Sequence, residues 1–222
     1  MFKLSQDGIK IAKVLILVIA LSFVLGKFIT LLSVGLLILF RDENRIITNP
    51  NAVLSPCDGI VLSIENNVKF NLSDKYQNNK WNKITILNGI LDIHANRMPM
   101  SGEVEEIIYT PGDSRDRYIY KQNEKISWII NGDIDFILSH SVDTIFHVVS
   151  SKVKKNQFAK IGETYANSFI GATIELYLPQ DIEITISEGQ KMVASETSIT
   201  NSIVKNAMNQ HPSKKITKKD TK

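Results

Sequence analysis

Cysteine is nearly absent from this 222-residue chain: Cys57 stands alone, so no intrachain disulfide can form. That leaves the compartment open and suits a cytosolic face. One thiol and the scattered His94, His140, His147 and His211 give no ligand spacing for a metal. Excess charge is lacking too. The 26 basic and 23 acidic residues leave a net charge of +3, too small to argue nucleic-acid binding. The body has no apolar stripe at helical spacing sustained over three turns, which excludes a helical bundle. No internal repeat is present, so solenoids and propellers drop out.

What is present begins with a long apolar segment, residues 14–40. Mean hydropathy is -0.04, near zero, because this end is apolar and the rest polar. Lys27 divides the segment into Val14–Gly26 and Phe28–Phe40, 13 residues each. A spanning helix needs about 20 apolar residues, so each arm is short alone. As one helix, the segment puts Lys27 near the bilayer centre at a cost of about 3 kcal/mol. As a hairpin, Gly26-Lys27 becomes a polar turn. Lys10, Lys13, Arg41 and Arg45 then share the cytoplasmic face, as the positive-inside rule prefers. A cleaved signal peptide fits poorly, because the stretch is too long and no A-x-A site precedes the body.

Three regions follow: a membrane anchor over 1–45, a β domain over 46–204 and a basic tail over 205–222. The β-rich runs are Ile60–Ile64, Lys83–Leu87, Ile126–Ile130, Phe136–Leu138, Ile145–Val149 and Thr173–Leu178, bounded by Asn, Gly or Asp. Asn131-Gly132-Asp133 predicts a hairpin turn. The fold class is mostly β, with minor helix. The lysine-rich end, Ser213 to Lys222, reads as disordered. Beside an anionic leaflet each lysine would add about 1 kcal/mol, and a solvated tail is the equal alternative.

Four segments occur in order. The first is Phe40-Arg41-Asp42 followed by Leu54-Ser55-Pro56-Cys57-Asp58-Gly59-Ile60-Val61. The second is Asp92-Ile93-His94-Ala95-Asn96-Arg97-Met98-Pro99, then Ser101-Gly102 and Pro111-Gly112. The third is Lys160-Ile161-Gly162-Glu163 running into Gly171-Ala172 and Glu175-Leu176-Tyr177-Leu178-Pro179. The fourth is Ser187-Glu188-Gly189-Gln190-Lys191-Met192-Val193-Ala194-Ser195-Glu196-Thr197. Together they resemble the phosphatidylserine decarboxylases of the short prokaryotic type. The resemblance covers nearly the whole chain. It implies a barrel-sandwich β domain tethered to the inner membrane, facing the cytoplasm, that acts on phosphatidylserine.

The resemblance also implies a chemistry. In the family a serine hydroxyl attacks the carbonyl of the preceding glycine, the chain is cut, and a pyruvoyl group remains on the new N-terminus. That ketone serves as the electron sink for decarboxylation. Carried over by motif, Asp58 would orient or polarise self-cleavage. Arg97 stands where other branches put the cleavage base, and His94 would move a proton or hold substrate. Taken singly, each has a plainer reading: a turn after proline, an ion-pair partner, a hydrogen-bonded strand residue. Gly171 and Ala172 mark the junction, and here the chain departs: the family has serine where Ala172 stands. Phe169-Ile170 replace Arg-Phe. Asp113-Ser114-Arg115-Asp116 replace Phe-Phe-Asn-Ala. The small and basic residues expected near Ser141–His147 are missing, and Ser195 replaces a glycine.

Thr173 is a possible substitute nucleophile. A one-residue step along a strand turns a side chain to the other face, so Thr173 would need a bulge to reach the same partners. Ser168 follows no glycine and is the poorer candidate. Two readings therefore stand. One is a membrane-bound decarboxylase of phospholipid biosynthesis with atypical processing. The other is a non-catalytic relative that binds lipid or a partner, as a homo-oligomer or with an active homologue. A biotinyl- or lipoyl-type carrier with Lys191-Met192 at a hairpin tip is a distant third.

Overall fold

The computed structural model describes residues 3–4, 6–25, 30–31, 33–35, 41–111, 124–142, 149–168 and 171–203. Short extended segments β1 (Lys3–Leu4) and β2 (Arg41–Asp42) pair antiparallel, with Lys3 opposite Asp42. The chain therefore leaves and re-enters the body at one place. Between them, helix α1 spans Gln6–Leu25.

The membrane anchor expected over 1–45 is not supported here. Among the described residues no helix is long and apolar enough to cross a membrane. The first two turns of α1 carry Gln6, Asp7, Lys10 and Lys13, leaving only Val14–Leu25 apolar. At 1.5 Å per residue that is about 18 Å against a hydrocarbon core of about 30 Å. The Gly26-Lys27 division lies outside the described residues, as does the tail from 204 onward.

The body is mostly β, as the sequence predicts. Its strands are β3 (Gly59–Lys69), β4 (Lys80–Asn88), β5 (Ala95–Arg97), β6 (Gly102–Thr110), β7 (Glu124–Gly132) and β8 (Phe136–Val142). Then come β9 (Val149–Ser151), β10 (Phe158–Ala159), β11 (Thr164–Ser168), β12 (Ala172–Pro179) and β13 (Lys191–Met192). Eight form one antiparallel sheet in the order β10-β6-β7-β8-β12-β4-β3-β13, and β5-β11-β9 form a second. Asn131 and Gly132 end β7, paired with Glu103 and Gly102 of β6, and residues 133–135 turn the chain into β8, with Ile130 opposite Phe136. Of the Ile145–Val149 run, only Val149 lies among the described residues, at the start of β9.

One hydrophobic core lies between the two sheets. Val61, Ile84, Ile86, Trp128, Ile130, Leu138, Ile174 and Leu176 meet Tyr165 and Ala166 from β11 there. The other face of the large sheet is covered as well. Phe70, Tyr76 and Trp81 close over Ile129, Ile137 and Tyr177. This explains why Trp128-Ile129-Ile130 is apolar without alternation: Trp128 and Ile129 point to opposite faces, and both faces are buried.

In β12 the alternation is plain where it matters. Ala172, Ile174, Leu176 and Leu178 are buried on the face that fills the main core. Thr173 lies on the other side, paired with Leu87 and Ser141, and no register shift interrupts the β12–β4 pairing from Ala172 to Pro179.

Candidate processing site

The site forms where β4 ends, β12 begins and the segment ahead of β5 crosses between them. At the end of β4 the chain turns through Gly89–Asp92. Asp92 Oδ2 accepts from the Gly89 N–H at 2.8 Å, and the Asp92 N–H closes back on Gly89 O at 3.1 Å. This carboxylate-closed turn is what an Asn-Gly-x-x-Asp stretch favours. It delivers Ile93 and His94 underneath. Asn88, fully buried, ties the corner together: its Nδ2 donates to Asp58 O at 2.9 Å and to Ile93 O at 3.1 Å.

His94 is 4% exposed and sits on the junction. The Gly171 N–H donates to His94 Nε2 at 3.2 Å. His94 Nε2 is the acceptor in this contact. Gly171 has φ +58°, and a Cβ built there would lie 3.0 Å from Asn88 O. Left-handed backbone and close approach both call for glycine. Ala172 follows directly, opposite Asn88 in the β12–β4 register, 5% exposed, its methyl in the main core.

Ser168 completes a polar cluster. Its N–H donates to His94 O at 3.1 Å, and its Oγ donates to Asn88 Oδ1 at 3.3 Å. Asn96 Nδ2 lies 3.5 Å from Ser168 Oγ, and buried Asn96 Oδ1 has no hydrogen-bond partner. An acceptor in that position is costly unless water or a ligand meets it.

Asp58 and Arg97 belong to an adjoining ion-pair cluster. Asp58 Oδ2 accepts from Arg45 Nη2 at 2.5 Å, and Oδ1 from the Ala194 N–H at 2.8 Å. Burial pushes the Asp58 carboxyl up; the Ala194 N–H and the Arg45 charge pull it the other way. Arg97 donates to Asp42 Oδ1 at 2.8 Å, Glu43 O at 2.7 Å and Gly162 O at 3.1 Å. A guanidinium so engaged holds these segments together. Asp58 connects to the junction through its own carbonyl and Asn88, with its carboxylate turned to Arg45 and Ala194.

The structure thus brings His94, Gly171 and Ala172 into one site. It sets Asp58 and Arg97 in the clamp beside it, and turns Thr173 to the opposite face. Arg45, Asn88 and Ser168 complete these groups. Asn88 and Ser168 are 80 residues apart, and Arg45 and Asp58 are 13 apart on different segments, so no local spacing reveals them. Ser195 stands where a glycine was expected: it has φ +62° and a buried Oγ with no partner. Phe169, Ile170, Asp113–Asp116 and Asp143–His147 lie outside the described residues. Ala172 stands where the resemblance puts the pyruvoyl precursor, and a methyl there offers no hydroxyl from which that group could form.

Known proteins match along the same stretch. A sequence model of the phosphatidylserine decarboxylase family matches residues 36–200. The phosphatidylserine decarboxylase proenzyme of Wolbachia sp. subsp. Brugia malayi (strain TRS) is 33% identical over 169 residues, 73% of each chain. That of Geotalea uraniireducens (strain Rf4) is 28% identical over 180 residues, 78% of this chain and 82% of its own. That of Pelagibacter ubique (strain HTCC1062) is 29% identical over 209 residues, 88% and 94%. No solved structure matches. By its ordered motifs, its strand-built body and these matches, the chain belongs to the phosphatidylserine decarboxylase family.

Proposed function

We propose that this chain acts at the phosphatidylserine step of phospholipid metabolism as a family member that holds the phosphatidylserine headgroup but remains uncut. The observation that carries this reading is Ala172, a buried methyl at the junction. Self-cleavage needs a hydroxyl there. Thr173, the nearest one on β12, faces the other side of a strand with unbroken register.

Several features support headgroup binding. His94 is seated on the Gly171 N–H, and buried Asn96 Oδ1 beside it has no partner. An amino group of the ligand would satisfy that acceptor. A main core between two sheets agrees with the barrel-sandwich architecture of such a protein. In this reading the chain works on the cytoplasmic side of the inner membrane as a lipid-binding or partner subunit.

An active decarboxylase is the second reading, favoured by the His94–Gly171 contact at the junction. One experiment separates them: incubate the purified full chain with phosphatidylserine, and follow both binding and release of carbon dioxide. Saturable binding without release supports the proposal. Release at a rate that scales with this chain, and disappears in His94→Ala, supports the second reading and contradicts the first.

A further inference from the structure

Exposed aliphatic side chains collect beside the site. Ile60 is 48% exposed, Leu62 50%, Leu87 43%, Ile90 56% and Leu91 76%. Ile60 and Leu87 are register partners on β3 and β4, and Leu62, at the register shift after buried Val61, is exposed as Ile60 is. Ile90 and Leu91 form the turn that follows β4. That turn borders the junction, since a Cβ built on Gly171 would lie 3.8 Å from Ile90 N. A contiguous apolar patch of this kind marks a place where something else docks.

Two features identify the occupant. First, the patch is continuous with the N-terminal segment. Arg41 Nη2 donates to Leu91 O at 3.1 Å, and Arg41 belongs to β2, which pairs with β1 ahead of α1. On α1, Val14, Ile16, Leu17 and Leu21 are 61–71% exposed. The β1–β2 pair thus links the exposed aliphatic residues of α1, which follows β1, to the Leu91 turn. Second, the five side chains are all Ile or Leu. Protein hot spots favour Trp, Tyr and Arg. Exposed Lys191 beside Ile60 suits an anionic headgroup, while Arg41, ion-paired with Glu43, fastens the turn.

We propose that the Ile90–Leu91 turn, with Ile60, Leu62 and Leu87, rests in the interfacial layer of a phospholipid bilayer. The His94–Gly171 site then opens at the level where lipid headgroups lie, and a lipid reaches it without carrying its acyl chains through water. This inference rests on the phospholipid reading given above.

Cys57 is fully buried, so an introduced cysteine is the one accessible thiol among the described residues. The test labels Leu91→Cys in the full chain with an environment-sensitive fluorophore. Phe158→Cys serves as control: Phe158 is 60% exposed on β10, at the other end of the sheet order. Vesicles of phosphatidylcholine and phosphatidylserine in equal parts are added, with or without nitroxide on the acyl chains. The expected result is a blue shift and severalfold quenching at position 91 and no change at 158. Equal responses at both positions, or vesicle-bound chain with no response at 91, overturn the proposal. So does a shift at 91 that follows protein concentration without lipid, since a second copy then covers the patch. Soluble short-chain phosphatidylserine tests the headgroup pocket separately. If it fails to bind while position 91 still responds, the ligand reading falls and the bilayer contact stands.

Discussion

At the scale of single residues, Ala172 governs the outcome. Its neighbours are a left-handed Gly171 that only glycine occupies comfortably, His94 on the Gly171 N–H, and Asn88 opposite. In the proposed reading, what is missing is one oxygen. Ala172→Ser adds it to a strand position whose side chain is already inside. The expected outcome is scission between Gly171 and residue 172, seen on a denaturing gel as a long and a short chain where the parent gives one band. Of this site, the motifs revealed His94 and the Gly171-Ala172 pair, because those residues sit within short, ordered stretches. They did not reveal Asn88 or Arg45. Asn88 before a glycine reads as a plain turn residue, and its burial arises only because strands distant in sequence converge on it. Asp58 and Arg97 were legible as residues but not in their geometry, since nothing local shows that their charges face Arg45 and Asp42.

At the scale of elements, regular alternation decides what β12 can offer. Side chains two apart share a face, so the pairing that buries Ala172 and Ile174 sends the Thr173 hydroxyl away. The long apolar runs were legible as strands because their residues are β-branched or aromatic and end at Gly, Asn or Asp. Strand β6 was not. Glu103, Glu105 and Glu106 interrupt its pattern, and a register shift between Val104 and Glu106 breaks the alternation that would have revealed it. Strands β10 and β13 have two residues each, too few for any period. The β2 ribbon is held mainly by side chains, above all Arg97. Arg97→Met leaves Asp42 partly buried without its cation, which costs about 3 kcal/mol. Chemical denaturation should register that loss, and amide exchange over residues 41–46 should quicken. A variant with parental stability and exchange would show that Arg97 is no clamp.

At the scale of the whole molecule, one core joins both sheets, and His140 lies inside it. Its Nε2 is hydrogen-bonded to Tyr165 OH at 2.5 Å, and Trp128 packs edge-on at 5.1 Å. Burial holds the imidazole neutral and pushes its pKa down to about 3. The unfolded chain takes up that proton near pH 6.5, whereas the folded chain does not. Stability contributed by neutral His140 is therefore intact above about pH 6.5. It falls as pH drops toward 3, with a limiting slope of about 1.4 kcal/mol per pH unit. Denaturation curves at pH 7 and pH 5 check this: the midpoint falls in the parent, and falls less in His140→Gln. Such coupling between remote parts explains why the core was legible only in outline. The sequence marks His140 as one histidine in a β-rich run, and only the packed sheets show that it has no route to water.

The most direct test of the central claim is the intact mass of the full chain purified from cells, followed by peptide mapping across residues 165–180. The account predicts one uncut polypeptide of 25.0 kDa containing an ordinary Gly171–Ala172 bond. A mature pair of chains, the shorter starting at residue 172 or 173 with a blocked keto terminus, would contradict it.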